Sequence, residues 1–456
     1  MDALTGVSST PFWLDDPARP EPHPQLGQDT RADLAIVGAG YSGLWTALLA
    51  KQVDPDRDIV LVDAASVGWA ASGRNGGFCA ASLTHGSANG RERFPDEYDT
   101  LQRLGRDNLA GLIADVEHHA IDCDLEPTGE LTVATERYQV ERLRHAADAG
   151  EGRFLDEAEV RQEVASPTYL AGLWDRHGTV MVHPAKLAWG LAAAAQRLGV
   201  RIFEQTHIRG LRRDGEDIRL DSRVASITAR QVALGTNAFP SLLRRVRPYV
   251  VPVYDYALVT EPLSATHVDA IGWRNRQGLG DHANQFHYYR LTPDNRILFG
   301  GYDAIYHFRR AIRPELDQRP ETFQLLADHF FTTFPQLAGL RFTHAWGGAI
   351  DLCSRFCPFF GTAYGGRVAY ATGYTGLGVG ATRFGAQVML DLLSGEETER
   401  TNTAMVQSKP LPFPPEPFAY AGVQLTRRSI AKADRNQGRR DLWLRTLDRL
   451  GLGFDS

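Results

Sequence analysis

The chain has 456 residues, 43% hydrophobic and 23% charged, with a formal net charge of −6. This is enough to bury two or three cores, and the absence of a basic stripe argues against nucleic acid as a partner. Four cysteines cannot staple a chain of this length, and the N-terminus carries no basic and apolar leader, so a cytoplasmic protein with no membrane span is expected.

Residues 1–31 hold Pro11, Pro17, Pro20, Pro22 and Pro24, which forbid a regular helix; an extended arm is expected, anchored by Phe12, Trp13 and Leu14. A βαβ unit follows. Residues 34–37 read as a strand, 44–50 as a small-residue helix and 59–62 as a second strand. Gly38, Gly40 and Gly43 stand at GxGxxG spacing around Tyr41 and Ser42, and Asp63 ends the second strand. The pattern predicts a dinucleotide site. Gly38 permits the tight turn, Gly40 the approach of a diphosphate and Gly43 the close packing of helix on strand. The helix N-terminus faces the phosphates and Asp63 a ribose diol.

The next stretch, Ala70-Ala71-Ser72-Gly73-Arg74-Asn75-Gly76-Gly77, breaks the βαβ pattern. Such a loop can lie against a flat ring system, and its N–H groups and the Arg74 guanidinium suit anionic oxygens. Helices are predicted over 95–119, 135–149, 155–164 and 185–198, the last opened by His183-Pro184, with a hairpin at 123–135 around Gly129. His183 is read as a structural residue at the helix start. Short strands are expected at 201–204, 208–212, 218–220, 223–227 and 229–234, the last running into Gly235-Thr236-Asn237-Ala238. Beyond residue 242 come aromatic, β-branched strands and a helix at 320–334. Alternation puts Tyr254 and Tyr256 on one face, and Tyr288 and Arg290 on one face. A strand at 367–372, a glycine-rich turn at 373–380 and a helix at 381–393 follow. The tail holds a Pro-rich stretch, 410–417, and a charged helix, 427–450.

The AASGRNGG loop after a GxGxxG–Asp unit resembles the flavoproteins of the D-amino-acid oxidase superfamily, above all the branch of γ-glutamylputrescine oxidoreductases and their glycine and sarcosine oxidase relatives. The resemblance covers roughly 30–395. It implies an α/β fold, α+β overall: a Rossmann-like FAD-binding domain (32–241 and 346–395) with a discontinuous antiparallel-sheet substrate domain (242–345), flanked by the arm and by a tail at 396–456. FAD contacts are implied at Gly38, Gly40, Tyr41, Ser42, Gly43, Asp63, Ala71, Ser72, Arg74, Asn75, Gly76 and Gly77. Ile208 under the adenine and Thr236 are added by analogy with the second nucleotide-contacting strand of FAD folds.

The C-terminal turn Thr372-Gly373-Tyr374-Thr375-Gly376-Leu377-Gly378 places N–H groups and a helix N-terminus where a reduced flavin gathers negative charge. Many relatives have His where this chain has Leu377. Relatives that tether the flavin use a His or Cys at positions not matched here, so non-covalent FAD is expected. None of the four lysines stands in the aromatic strands where sarcosine-oxidase-like relatives keep one for oxygen, which leaves oxygen or another acceptor open. The flavin itself takes the hydride, so no Ser–His–Asp or paired-carboxylate constellation is demanded.

Candidates for the substrate pocket are Tyr254, Tyr256, His287, Tyr288, Tyr289, Arg290, Trp346 and Tyr374, through cation–π walls and an Arg for a substrate anion. Sheet packing competes for each tyrosine, and a buried ion pair competes for Arg290. The expected reaction is oxidation of an amine or amino-acid C–N bond to an imine that hydrolyses. A γ-glutamyl polyamine leads, before an N-methyl or D-amino acid. A 2-hydroxy-acid or glycerol-phosphate dehydrogenase, or a flavin-binding protein with little turnover, remains the alternative. A homo-oligomer is left open.

Overall fold

The computed structural model describes residues 3–453, so the first two residues of the expected arm and the last three of the tail lie outside it. Two large sheets organise it. The first runs Phe359–Ala363, Val368–Thr372, Ser226–Leu234, Thr30–Val37, Ile59–Val62 and Arg201–Phe203. All its neighbours are parallel except the edge pair 359–363 with 368–372, and a hairpin, Gly210–Asp214 with Asp217–Asp221, hangs from Ser226–Leu234. Strands buried on both faces need continuous apolar runs, and Ile59–Val62 is buried at every position. Helix Tyr41–Val53 packs against both Pro184–Arg197 and Gly378–Ser394 on one face of this sheet.

The second sheet runs Phe342–Leu352, Val251–Thr260, Ile297–Gly301, His287–Leu291, Gly278–Asp281, Glu130–Ala134, Ala171–Asp175 and Arg153–Leu155. Only the pair 278–281 with 130–134 is parallel. Helix Pro320–Thr333 covers one face, where Phe323, Leu326 and Phe330 bury Tyr254, Tyr256 and Leu258. The opposite face turns Ala257, Val259 and Trp346 toward the core of the nucleotide domain.

Four expectations change. The hairpin at 123–135 is absent: Glu130–Ala134 pairs with 171–175 and 278–281, because its apolar residues have a larger sheet to join. Three strands from 130–175 thus belong to the second sheet, which also runs on to Leu352, so it is not confined to the 242–345 expected for a substrate domain. The segments 223–227 and 229–234 are one strand, Ser226–Leu234. The charged tail helix is two helices, Phe418–Arg435 and Leu442–Arg449, broken where Gln437 and Gly438 take φ of 55° and 72°. Among the described residues no helix is long and apolar enough to cross a membrane.

The proline-rich arm crosses between the two domains. Ser8 joins the edge of Phe342–Leu352 through main-chain bonds to Thr343 and Ala345, and Trp13 is 1% exposed.

Candidate active site

The nucleotide cradle is set by steric necessity. Gly38 has φ 108°, and a Cβ there would stand 2.4 Å from the Gly235 carbonyl oxygen. A Cβ on Gly43 would stand 1.9 Å from the Gly38 carbonyl oxygen, so only glycine lets this helix start so close to its strand. Asp63 accepts the N–H groups of Ala39 and Ala65, both at 2.7 Å. Burial raises its carboxyl above the usual range, against the pull of those two donors. Helix Tyr41–Val53 begins at Gly40, where the Ser72 hydroxyl of the next loop accepts the Tyr41 N–H at 3.0 Å, and Gly378–Ser394 begins at Leu377 with no capping side chain. Both N-termini open on one cavity of about 1810 Å³, well above the volume that a single drug-sized ligand fills.

The AASGRNGG loop forms part of the cavity wall and is held from three sides. Asn75 closes it on itself, donating to the Ala71 and Ser72 carbonyls and accepting from the Gly77 N–H. Two indoles hold its main chain: Trp346 donates to the Arg74 carbonyl at 2.9 Å and Trp13 to the Asn75 carbonyl at 2.8 Å. The Arg74 guanidinium pairs with Asp317 at 2.5 Å, donates to the Trp69 and Gly347 carbonyls and lies over the Trp69 ring. Arg74 lines the cavity and fastens the loop to the second sheet through Gly347, with part of its guanidinium engaged by Asp317.

The other cofactor candidates divide. Gly38, Gly40, Tyr41, Ser42, Asp63, Ala71, Ser72, Asn75, Gly76, Ile208, Thr236, Gly376, Leu377 and Gly378 line the cavity. Gly43 and Gly77 stand behind the lining; a Cβ on Gly77 would stand 2.3 Å from the Val182 carbonyl oxygen, so its role is packing. Tyr374 also lines it, its hydroxyl 3.3 Å from Ser42 Oγ. Cys353 and Cys357 are buried outside the lining.

The substrate sheet redistributes the aromatic candidates. Tyr254 and Tyr256 border the cavity, but their rings pack under helix Pro320–Thr333 and their hydroxyls donate to the Arg313 and Leu316 carbonyls. His287 bonds Asp281 and His329, and Tyr289 bonds Tyr169; neither lines the cavity. Arg290 lies outside it too. Its guanidinium is buried against the Val182 carbonyl and Glu126, and burial lowers it to about 10. Alternation turns His287 and Tyr289 away from the face that Tyr288 presents, while Arg290 shares that face and is kept from the cavity by its bonds to Val182 and Glu126. Trp346 and Tyr288 do line it.

Sequence reasoning missed two carboxylates. Asp255 lies between Tyr254 and Tyr256, so it faces the opposite way, into the cavity. Its Oδ2 accepts the Tyr288 hydroxyl at 2.5 Å and its Oδ1 the Tyr256 N–H at 2.9 Å. Burial pushes its carboxyl up to about 6 even against these donors. Tyr288 is fixed in turn, since a Cβ on Gly76 or Gly300 would stand within 2.7 Å of its ring. That contact sets the Asp255–Tyr288 pair beside the AASGRNGG loop. Asp351 is the second: it accepts the Gly373 N–H at 2.5 Å and the Thr372 hydroxyl at 3.2 Å, and burial raises it to about 6. It braces the turn that leads into Gly378–Ser394. The available signal was an acid inside an otherwise apolar strand.

His183 caps helix Pro184–Arg197 through Nδ1, which accepts the Lys186 N–H; burial lowers it to about 4 despite Asp16 nearby.

The family model described as FAD dependent oxidoreductase matches residues 33–392. The chain is 30% identical over 410 residues to the gamma-glutamylputrescine oxidoreductase of Escherichia coli K12, covering 86% of this chain and 90% of that protein. It is 26% identical over 409 residues to the probable oxidoreductase OrdL of Haemophilus influenzae, covering 85% and 88%. Glycine oxidase from Geobacillus kaustophilus superposes with a TM-score of 0.70 at 19% identity, covering 84% of this chain and 100% of that one. The residues present fit FAD on their own evidence: two helix N-termini meet in one cavity, that of Gly378–Ser394 with no side-chain cap, and Asn237 Oδ1 is buried at its edge with no partner. The chain belongs to the family of FAD-dependent oxidoreductases, with FAD as its cofactor.

Proposed function

We propose that this enzyme oxidises the C–N bond of an amine, with Asp255 as the group that receives the substrate nitrogen. The observation that carries this reading is the Asp255–Tyr288 pair, the acid and hydroxyl that face the cavity beside the AASGRNGG loop. A carboxyl near 6 is ionised at neutral pH, so it attracts an ammonium group. It is also close enough to neutrality to take a proton from that nitrogen as the neutral amine reacts. Tyr288 orients Asp255 and, by donating to it, favours its charged form.

Bound FAD supplies the acceptor for the hydride that leaves the carbon next to nitrogen. The substrate is left as an imine, which water hydrolyses to a carbonyl compound and an amine or ammonia. Trp346, Trp13 and Arg74 hold the loop against the sheet, which fixes the cavity wall beside Asp255. The N-terminus of Gly378–Ser394, steadied by Asp351, offers its positive end to developing negative charge.

A γ-glutamyl polyamine is the first substrate to try, given the relative of that name, followed by N-methyl and D-amino acids. The test is an anaerobic screen of the yellow holoenzyme against γ-glutamylputrescine, sarcosine, D-amino acids and 2-hydroxy acids. Bleaching of the visible flavin band by an amine, with an aldehyde or keto product, is the expected result. Bleaching by 2-hydroxy acids alone overturns it.

A further inference from the structure

We infer that the C-terminal helical hairpin is the specificity wall of the substrate cavity, selecting amines that carry an extended apolar arm. The inference rests on the proposed amine oxidation for the identity of the reacting group, but its evidence lies elsewhere in the chain. The family match ends at residue 392, yet Leu411, Phe413, Val423, Ile430, Trp443 and Leu447 all line the same cavity as Asp255. These residues come from the Pro-rich stretch and from both tail helices, Phe418–Arg435 and Leu442–Arg449.

The wall is fixed to the body. Asp434 accepts the N–H of Asn284 at 3.0 Å, its amide at 2.6 Å and the N–H of Gln285 at 2.9 Å. Arg427 lies 3.4 Å from the buried Asp303, and Tyr306 donates to Glu416 at 2.5 Å. At the far end Arg93 donates to the Gly451 and Gly453 carbonyls. The two helices are joined by a Trp443 indole bond to Thr426 at 3.0 Å. The two cationic side chains of the hairpin that line the cavity are already engaged, Arg427 with Asp303 and Arg440 with Asp448.

The cavity thus carries an acid and, on the wall whose Phe413 and Val423 pack against Val251 and Val253 of the same strand, apolar side chains. A ligand that satisfies both has a cationic nitrogen and an arm of methylenes or an aryl group. Such a wall gains affinity because its ordering cost is met on folding. Each methylene laid against it strengthens binding by about fourfold.

The experiment titrates the holoenzyme with a homologous series from propylamine to octylamine, reading the perturbation of the visible flavin band for affinity and kcat/KM for turnover. Affinity should climb steadily with chain length. Ile430→Asp and Leu447→Asp should each lower the octylamine-to-propylamine ratio at least tenfold, about what two lost methylenes remove. Leu442→Ser, on a side chain 76% exposed and outside the lining, should leave the ratio unchanged. Affinity that does not vary with chain length in the wild-type enzyme overturns the inference, whether or not the variants fold. Equal loss of the ratio in Leu442→Ser and Leu447→Asp does so as well. Affinity that climbs while no amine, of this series or of the screen that includes γ-glutamylputrescine, bleaches the flavin keeps the wall and removes the proposed reaction; bleaching by propylamine with no gain along the series does the reverse.

Discussion

The two faces of strand Val251–Thr260 differ in what their side chains are free to do. On the helix-covered face, Tyr254 and Tyr256 have their rings in a core with Phe323 and Phe330, and main-chain carbonyls take their hydroxyls. On the other face Asp255 opens on the cavity with one tyrosine to orient it. One face is packed into a core and the other opens on the cavity, where we propose the chemistry takes place. A residue type that looks functional in sequence can therefore be structural, while its plain neighbour faces the cavity.

Asp255→Asn breaks the chemical face most severely. It keeps the shape and an acceptor for Tyr288 but removes the charge, so kcat/KM for an amine should fall about a hundredfold or more, measured by steady-state turnover at matched flavin content. The same variant should melt no lower than wild type at neutral pH. A carboxyl raised to about 6 binds more protons folded than unfolded, so its ionisation disfavours the fold as pH climbs from about 4 through 6. Removing that charge removes the penalty.

Tyr288→Phe should cost about tenfold in kcat/KM, a smaller loss, since it disturbs the orientation of Asp255 and leaves the acid in place. Its distinguishing readout is the pH profile. The Tyr288 hydroxyl lowers the Asp255 carboxyl, so without it the acidic limb of the profile should move to higher pH. A merely packed tyrosine would leave that limb where it was.

Tyr256→Phe sharpens the contrast from the other side. It removes the 2.8 Å bond to the Leu316 carbonyl and should cost about 1 kcal/mol in denaturant unfolding. Its kcat/KM should stay near that of wild type. A large kinetic loss with unchanged stability would reverse the assignment of the two faces.

The cofactor half of this division was legible because its constraints are local. The turn at Gly38 and the 1.9 Å approach at Gly43 allow one residue type, and both are written in consecutive sequence. The substrate half depends on which face of a strand meets which neighbour. Alternation showed that Tyr254 and Tyr256 share a face, but not that helix Pro320–Thr333 covers it. Asp255 and Asp351 drew no reading from the sequence, because their partners Tyr288 and Gly373 are distant along the chain. Arg74 looked like an anion ligand for the same reason: Asp317, which occupies it, is 243 residues away. The tail was unreadable as part of the cavity, since no local pattern links Ile430 or Leu447 to it.

The most direct test of the central claim follows the bleaching of the flavin band after anaerobic mixing of wild-type and Asp255→Asn holoenzymes with one amine, over a pH range spanning about 6. Below that value Asp255 is protonated and loses its hold on the ammonium group; above it the carboxylate is present. The account predicts a wild-type rate that rises through about 6, at subsaturating amine, and a variant that is slow and lacks this limb. Equal rates and identical profiles in the two enzymes would contradict it.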